Sequence, residues 1–230
     1  MGRLKSAVKW YMKGGIFNPA LIVFYLLPTI IILISSSNYN MFLQNFVVYV
    51  DIILTPVVMT VMMTHFIRER QVTIFELNLV KSYRIIFLSK IISFLIASAV
   101  QFIPLFLILY FQRLPSEIGI AILSKILMYT MILSVGIVLA GQRSTLIFFI
   151  LANILLPYIP SAMLGRALTY QYTLDPLSSV FSYTITPILA TTSRHLLSIS
   201  LPTVQVASTV LCVVIILICY IIYMRREWNV

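Results

Sequence analysis

Charge is scarce in this chain. Asp, Glu, Lys and Arg make up 10% of its 230 residues, and 61% are hydrophobic. A soluble domain carries about 25% charged residues and about 45–50% apolar ones. A surface this poor in charge cannot face water, so the chain reads as an integral membrane protein. Acidic groups are scarcer still and scattered: Asp51, Glu69, Glu76, Glu117, Asp175 and Glu227. Without paired carboxylates, H-E-x-x-H or G-x-S-x-G, the sequence offers no acid–base pair or nucleophile for an intramembrane hydrolase or lipid transferase. The two histidines, His65 and His195, fall on opposite sides of the expected membrane, so they share neither a metal nor a dyad. No phosphate-binding G-x-x-x-x-G-K-[ST] loop occurs, so any ATP that drives this chain is bound elsewhere. The two cysteines, Cys212 and Cys219, stand seven residues apart in one apolar run. That is about 10 Å along a helix, beyond disulfide reach of about 7 Å, and they read as small buried apolar residues.

What is present is long apolar runs. A membrane helix needs about 20 mostly apolar residues. Six runs qualify: Pro19–Ser36, Val47–Phe66, Ile85–Phe111, Ile118–Ala140, Thr145–Leu164 and Thr203–Tyr223. None alternates as the strands of a β-barrel do. The expectation is an all-α polytopic membrane protein, one transmembrane domain over residues 1–230. Orientation follows from the basic residues. With the N-terminus cytoplasmic, the inner side holds Arg3, Lys5, Lys9, Lys13, Arg68, Arg70, Lys81, Arg84, Lys90, Arg143, Arg225 and Arg226. The outer side holds only Arg113, Lys125, Arg166 and Arg194. Six spans then return the C-terminus to the cytoplasm. The net charge of +10 is thus a topology signal and an attraction to anionic lipid, not a nucleic-acid footprint. The first apolar run outlasts a signal-peptide core and lacks an A-x-A site, so it reads as retained.

Two segments outside the spans carry their own pattern. Residues 1–15 are basic, with Leu4, Val8, Tyr11 and Met12 at helical spacing and Trp10 beside them. This is the pattern of an amphipathic helix on the inner membrane surface. Residues 165–202 are long for a loop and too apolar for disorder, and they predict short helices on or dipping into the outer leaflet. Asp51 and Lys125 lie near the outer ends of the second and fourth runs. They read as interfacial charges that snorkel or pair with loop charges, Glu117 being one partner open to Lys125.

Between the second and third runs stands "RERQVTIFELNLVKSYR", residues 68–84. Val72, Phe75 and Leu79 form one apolar stripe, and Glu69, Arg70 and Arg84 bracket it. A short helix with an apolar knob and flanking charges suits insertion into a groove of a partner. The segment resembles the one after the second span in ABC-2 type transporter permeases, the membrane subunits of a class of ABC exporters. Glu69 and Arg70 match the family's E-R pair, Glu76, Leu77 and Leu79 its glutamate and leucines, and Ser82, Arg84 and Lys90 its closing residues. Departures are a missing glycine and proline and Thr73 set one place early. "LDPLSSVFSY" at 174–183 is similar to the family's N-P-L element, and the layout of spans matches throughout.

The resemblance implies a type V-like permease fold. It implies a pair of membrane subunits, identical or homologous, with two copies of an ABC ATPase subunit bound below. ATP and magnesium would sit on that partner, leaving no cofactor, metal or catalysis in this chain. The segment 70–82 would be the coupling helix, with Glu69, Arg70, Phe75, Glu76, Leu79 and Arg84 facing the ATPase. The export path would run between subunits past Tyr25, Thr29, Thr55, Met59, Thr60, Asn153 and Tyr158. A path this apolar favours hydrophobic or amphipathic cargo, exported across a plasma membrane. The alternative from a different class is an ATP-independent membrane protein: a channel, an immunity protein or an assembly factor.

Overall fold

The structure is a computed structural model that describes residues 2–13, 49–67, 76, 80, 82–111, 115–139, 150–151 and 153–225. Helix α1 (Gly2–Lys13) comes first. Four long apolar helices follow: α2 (Tyr49–Phe66), α3 (Tyr83–Phe111), α4 (Ser116–Leu139) and, after a set of short elements, α8 (Leu201–Arg225). Each is long and apolar enough to cross a membrane. They coincide with the second, third, fourth and sixth expected spans. The first expected span, Pro19–Ser36, lies outside the described residues. The fifth, Thr145–Leu164, is not one continuous described helix. Helical residues at 150–151 and 153–155 end in a turn at Leu156 and Pro157, and α5 (Tyr158–Tyr170) begins beyond it. Pro157 supplies the reason, since proline has no N–H for the helix ladder. Among the described residues there is no strand, only one bridge between Leu174 and Leu197.

Ring and hydroxyl contacts fix how the long helices run. Phe66 at the end of α2 meets Phe94 early in α3, at 5.7 Å between centroids. Ser98, further along α3, reaches the Met59 sulfur at 3.7 Å. These helices are therefore antiparallel. Tyr223 at the end of α8 meets Phe87 near the start of α3 at 5.4 Å, so α8 also opposes α3. Asp51 at the start of α2 meets Lys125 in the first half of α4, and Ser208 in the first half of α8 lies at the same end. Helices α2, α4 and α8 thus run one way and α3 the other.

Helix α1 lies against the first half of α3. Ser93 donates to the Val8 carbonyl at 3.3 Å, Tyr11 packs on Phe66 at 6.3 Å, and the Lys90 ammonium sits 5.6 Å from the Tyr11 ring centre. Tyr11 and Ala7 are buried while Trp10 is exposed, which is the amphipathic division expected for this segment.

At the opposite end, α6 (Pro176–Ile185) and α7 (Pro187–Thr192) form a tight pair broken at Thr186. Asp175 starts α6 by accepting the Ser178 N–H at 3.1 Å, with Pro176 in the first helical turn. That bond holds the Asp175 carboxyl below its ordinary pKa. Thr186 leaves helical geometry at φ −125° and ψ 66°, and Pro187 starts the next helix without an N–H to lose. A small second core seals this pair, with Tyr183, Ala190, Leu196 and Val204 at its centre.

The core wedges the pair between α4 and α8. Thr184 hydrogen-bonds Ser208 of α8 at 2.9 Å, and Ser124 of α4 lies 3.1 Å from the Tyr183 hydroxyl. Of the most apolar stretch of α8 only 22% is buried, against 61% for each of the other three. Helix α8 is therefore the peripheral one.

Candidate functional site

A broken helix inside an apolar bundle exposes backbone groups that must find partners. The chain supplies them with one buried ion pair. Lys125 of α4 lies 2.7 Å from an Asp51 carboxylate oxygen, and both side chains are fully buried. The ammonium also donates to the Asp51 carbonyl at 3.0 Å and to the Ile185 carbonyl at 2.6 Å. Those bonds occupy its three protons. The second Asp51 oxygen accepts the Leu189 N–H at 2.8 Å. The cation therefore meets the carbonyl end of α6 and the carboxylate meets the N–H end of α7, the favourable sense for both helix dipoles.

Local structure helps to present Asp51. It sits in a π-helical lead-in, Tyr49–Leu54, that opens α2. There the Thr55 hydroxyl donates to the Val50 carbonyl five residues back. Such wide turns commonly accompany functional positions. Lys125 is about 14 Å into α4 at 1.5 Å per residue, and its ammonium sits 5.7 Å from the Tyr129 ring centre.

This corrects two expectations. Asp51 and Lys125 are not interfacial charges; both are enclosed. Lys125 does not pair with Glu117, which instead lies 3.6 Å from Arg194 in an exposed contact. Exposed pairs of this kind add little stability. The physical reason is lateral packing: α2 brings Asp51 against α4, whereas Glu117 stands about two helical turns, about 12 Å, from Lys125 along α4. A signal was present in the sequence, since two opposite charges inside apolar runs at the same membrane face need each other.

A second buried pair lies at the α1 end. Lys90 sits 2.8 Å from a Glu76 oxygen, with both side chains 2% exposed. Glu76 thus has a partner within the chain, in the cluster of α1, α2 and α3 residues around Tyr11 and Phe66. Arg84 is exposed in the first turn of α3. Of the other expected coupling residues, Glu69, Arg70, Phe75 and Leu79 lie outside the described residues.

The described residues of the expected path differ in burial. Tyr25 and Thr29 lie outside the described residues. Thr55, Met59 and Thr60 point into the chain's own core, and α2 exposes Ile53 and Val61 instead. Asn153 is buried and Tyr158 exposed. Cys212 and Cys219 are free and buried. Among the described residues no group of His, Cys, Asp or Glu is arranged to hold a metal ion.

Comparison with known protein families, with characterised proteins and with solved structures finds no match to this chain. The class rests on the fold itself. Four long apolar helices, with charges buried only in pairs among the described residues, make this a helical membrane protein.

Proposed function

We propose that this chain is the membrane permease subunit of an ATP-driven ABC exporter of the ABC-2 type, moved by separate ATPase subunits. The observation that carries the reading is the Glu76–Lys90 pair at 2.8 Å. It ties the segment expected to meet an ATPase to the base of α3, beside α1. A push on residues 70–82 would reach α3 through a buried, low-dielectric contact rather than through a loose loop. A charged pair of this kind transmits position because breaking it leaves an uncompensated buried charge.

Three further features support the reading. The broken pair α6–α7 stands just before α8, where the resemblance calls for short helices in a long outer segment. Tyr11 of α1 packs at the Phe66 end of α2 and Tyr49 opens α2 at its other end, as a further crossing between them requires. Exposed Lys5, Lys9, Arg84 and Arg225 collect at the α1 end, which the positive-inside rule assigns to the cytoplasm. Both termini are then cytoplasmic and α5–α7 lie on the outer side. A path along α2 between two such subunits would be lined by Ile53 and Val61, which keeps the cargo hydrophobic or amphipathic.

The test is co-purification. The tagged chain, extracted from its native plasma membrane in mild detergent, should retain a soluble ATPase identified by mass spectrometry. Phe75→Asp should lose that ATPase while the chain stays folded. Recovery of the chain without any ATPase would return the reading to an ATP-independent membrane protein.

A further inference from the structure

Between α4, α5, α6 and α8 the chain leaves a groove of about 500 Å³, within the range of about 300–1,000 Å³ usual for ligand pockets. Met128, Met131 and Met163 form much of its wall, with Phe181, Leu211 and Thr184. At 1.5 Å per residue, Met128 is about 18 Å into α4 and Leu211 about 15 Å into α8. A bilayer's hydrocarbon layer is about 30 Å thick, so the deep end of the groove reaches toward its middle while the α5 and α6 walls lie nearer the membrane face.

Water has little to bind there. The Thr184 hydroxyl is engaged with the Val180 carbonyl at 2.7 Å and with Ser208 at 2.9 Å. The mouth is apolar and open: Leu177 and Phe181, one turn apart on α6, are exposed, as is Leu211 facing them from α8. Thioether side chains adapt to an irregular, flexible occupant. A partner helix is about 10–12 Å across with its side chains and calls for a trough, not a pocket of this volume. Arg166 adds charge complementarity. It stands three residues after Met163 on α5, hence on the same helix face. It is exposed and has no ion pair among the described residues. A guanidinium there suits a phosphate diester above the groove.

We infer that the groove is a resident lipid site: one acyl chain of a membrane glycerophospholipid fills it, and Arg166 holds the phosphate. The acyl chain would pack against α6 up to Ile185, completing the packing beside the helix break. The inference needs only the membrane setting and not the transport reading.

The experiment uses the full chain reconstituted into vesicles of phosphatidylethanolamine and phosphatidylglycerol, re-extracted in detergent and washed. Native mass spectrometry then counts bound lipid. The wild type should keep one phospholipid per chain. Thr184→Phe, which fills the groove, should lower that occupancy about tenfold, the equivalent of 1.4 kcal/mol. Arg166→Gln should weaken retention several-fold, while Leu217→Phe on the exposed back of α8 should leave it unchanged. If Thr184→Phe fails to fold, Met163→Trp fills the groove from α5 instead. The inference is overturned by a wild type that keeps no lipid, by equal retention in the filled variants, or by a second copy of the chain occupying the groove.

Discussion

Lys125 and Asp51 stand 74 positions apart in the chain and 2.7 Å apart in space, both fully buried. Between them they satisfy the carbonyl of Ile185 and the N–H of Leu189, on either side of the Thr186 break. A helix break is tolerated in an apolar interior only when its freed backbone groups are bonded. The pair is therefore the condition for α6–α7 to lie where it does. It joins α2, α4 and the short helices into one unit at that end of the bundle.

The other pair governs the opposite end. Glu76→Gln leaves the Lys90 charge buried without its counter-ion. Removing one member of a buried pair costs on the order of 3 kcal/mol, and α1 should loosen from α3 as a result. Amide exchange should rise across Ala7 and Tyr11, which are buried in the wild type. A double substitution of Glu76 and Lys90 by leucine should restore much of that protection.

Acid should fray α6 from its first turn. The Asp175 carboxyl is held below its ordinary value by its bond to Ser178. A folded-state pKa below the unfolded one gives stability that is present above the ordinary carboxyl value, about 4. That stability is lost as pH falls through the lowered folded value. Amide exchange at Ser178 and Ser179 should accelerate in that acidic window. Asp175→Ala should show fast exchange at neutral pH and no such pH dependence.

The two ends of the bundle should label from opposite sides of the membrane. Cys212 and Cys219 are buried and free, so the wild type gives a low background with a maleimide. Arg194→Cys should react with an impermeant maleimide added outside intact cells. Lys9→Cys should react only once the membrane is opened. Labelling of both positions from one side would contradict the antiparallel arrangement of α3 against α2, α4 and α8.

Much of the fold was legible because long apolar runs leave few alternatives. The run Ile85–Phe111 became Tyr83–Phe111, and Thr203–Tyr223 became Leu201–Arg225. The amphipathic start was legible from its spacing. Pro187 marked a break but not its depth. The Asp51–Lys125 pair was missed because position along a helix does not reveal which helix packs beside it. Each charge, taken alone, was near enough to a span end to look interfacial. Glu76 was expected to face an ATPase on the strength of the resemblance, and nothing local revealed Lys90 as its partner. In the fifth run, Pro157 was the sign of a turn inside apolar sequence, and the apolar count outweighed it.

The central structural claim is that Lys125 and Asp51 act as a unit to hold the broken helix, and a double-mutant cycle tests it most directly. Thermal stability would be measured for Lys125→Met, Asp51→Leu and the two combined, in the same detergent. Each single change strands one buried charge and should cost about 3–5 kcal/mol. The double should cost clearly less than the sum of the two singles, since no charge is then stranded and only the backbone groups of Asp51, Ile185 and Leu189 lose partners. Costs that simply add across the cycle would mean the two residues act independently, and the account of the helix break would fail.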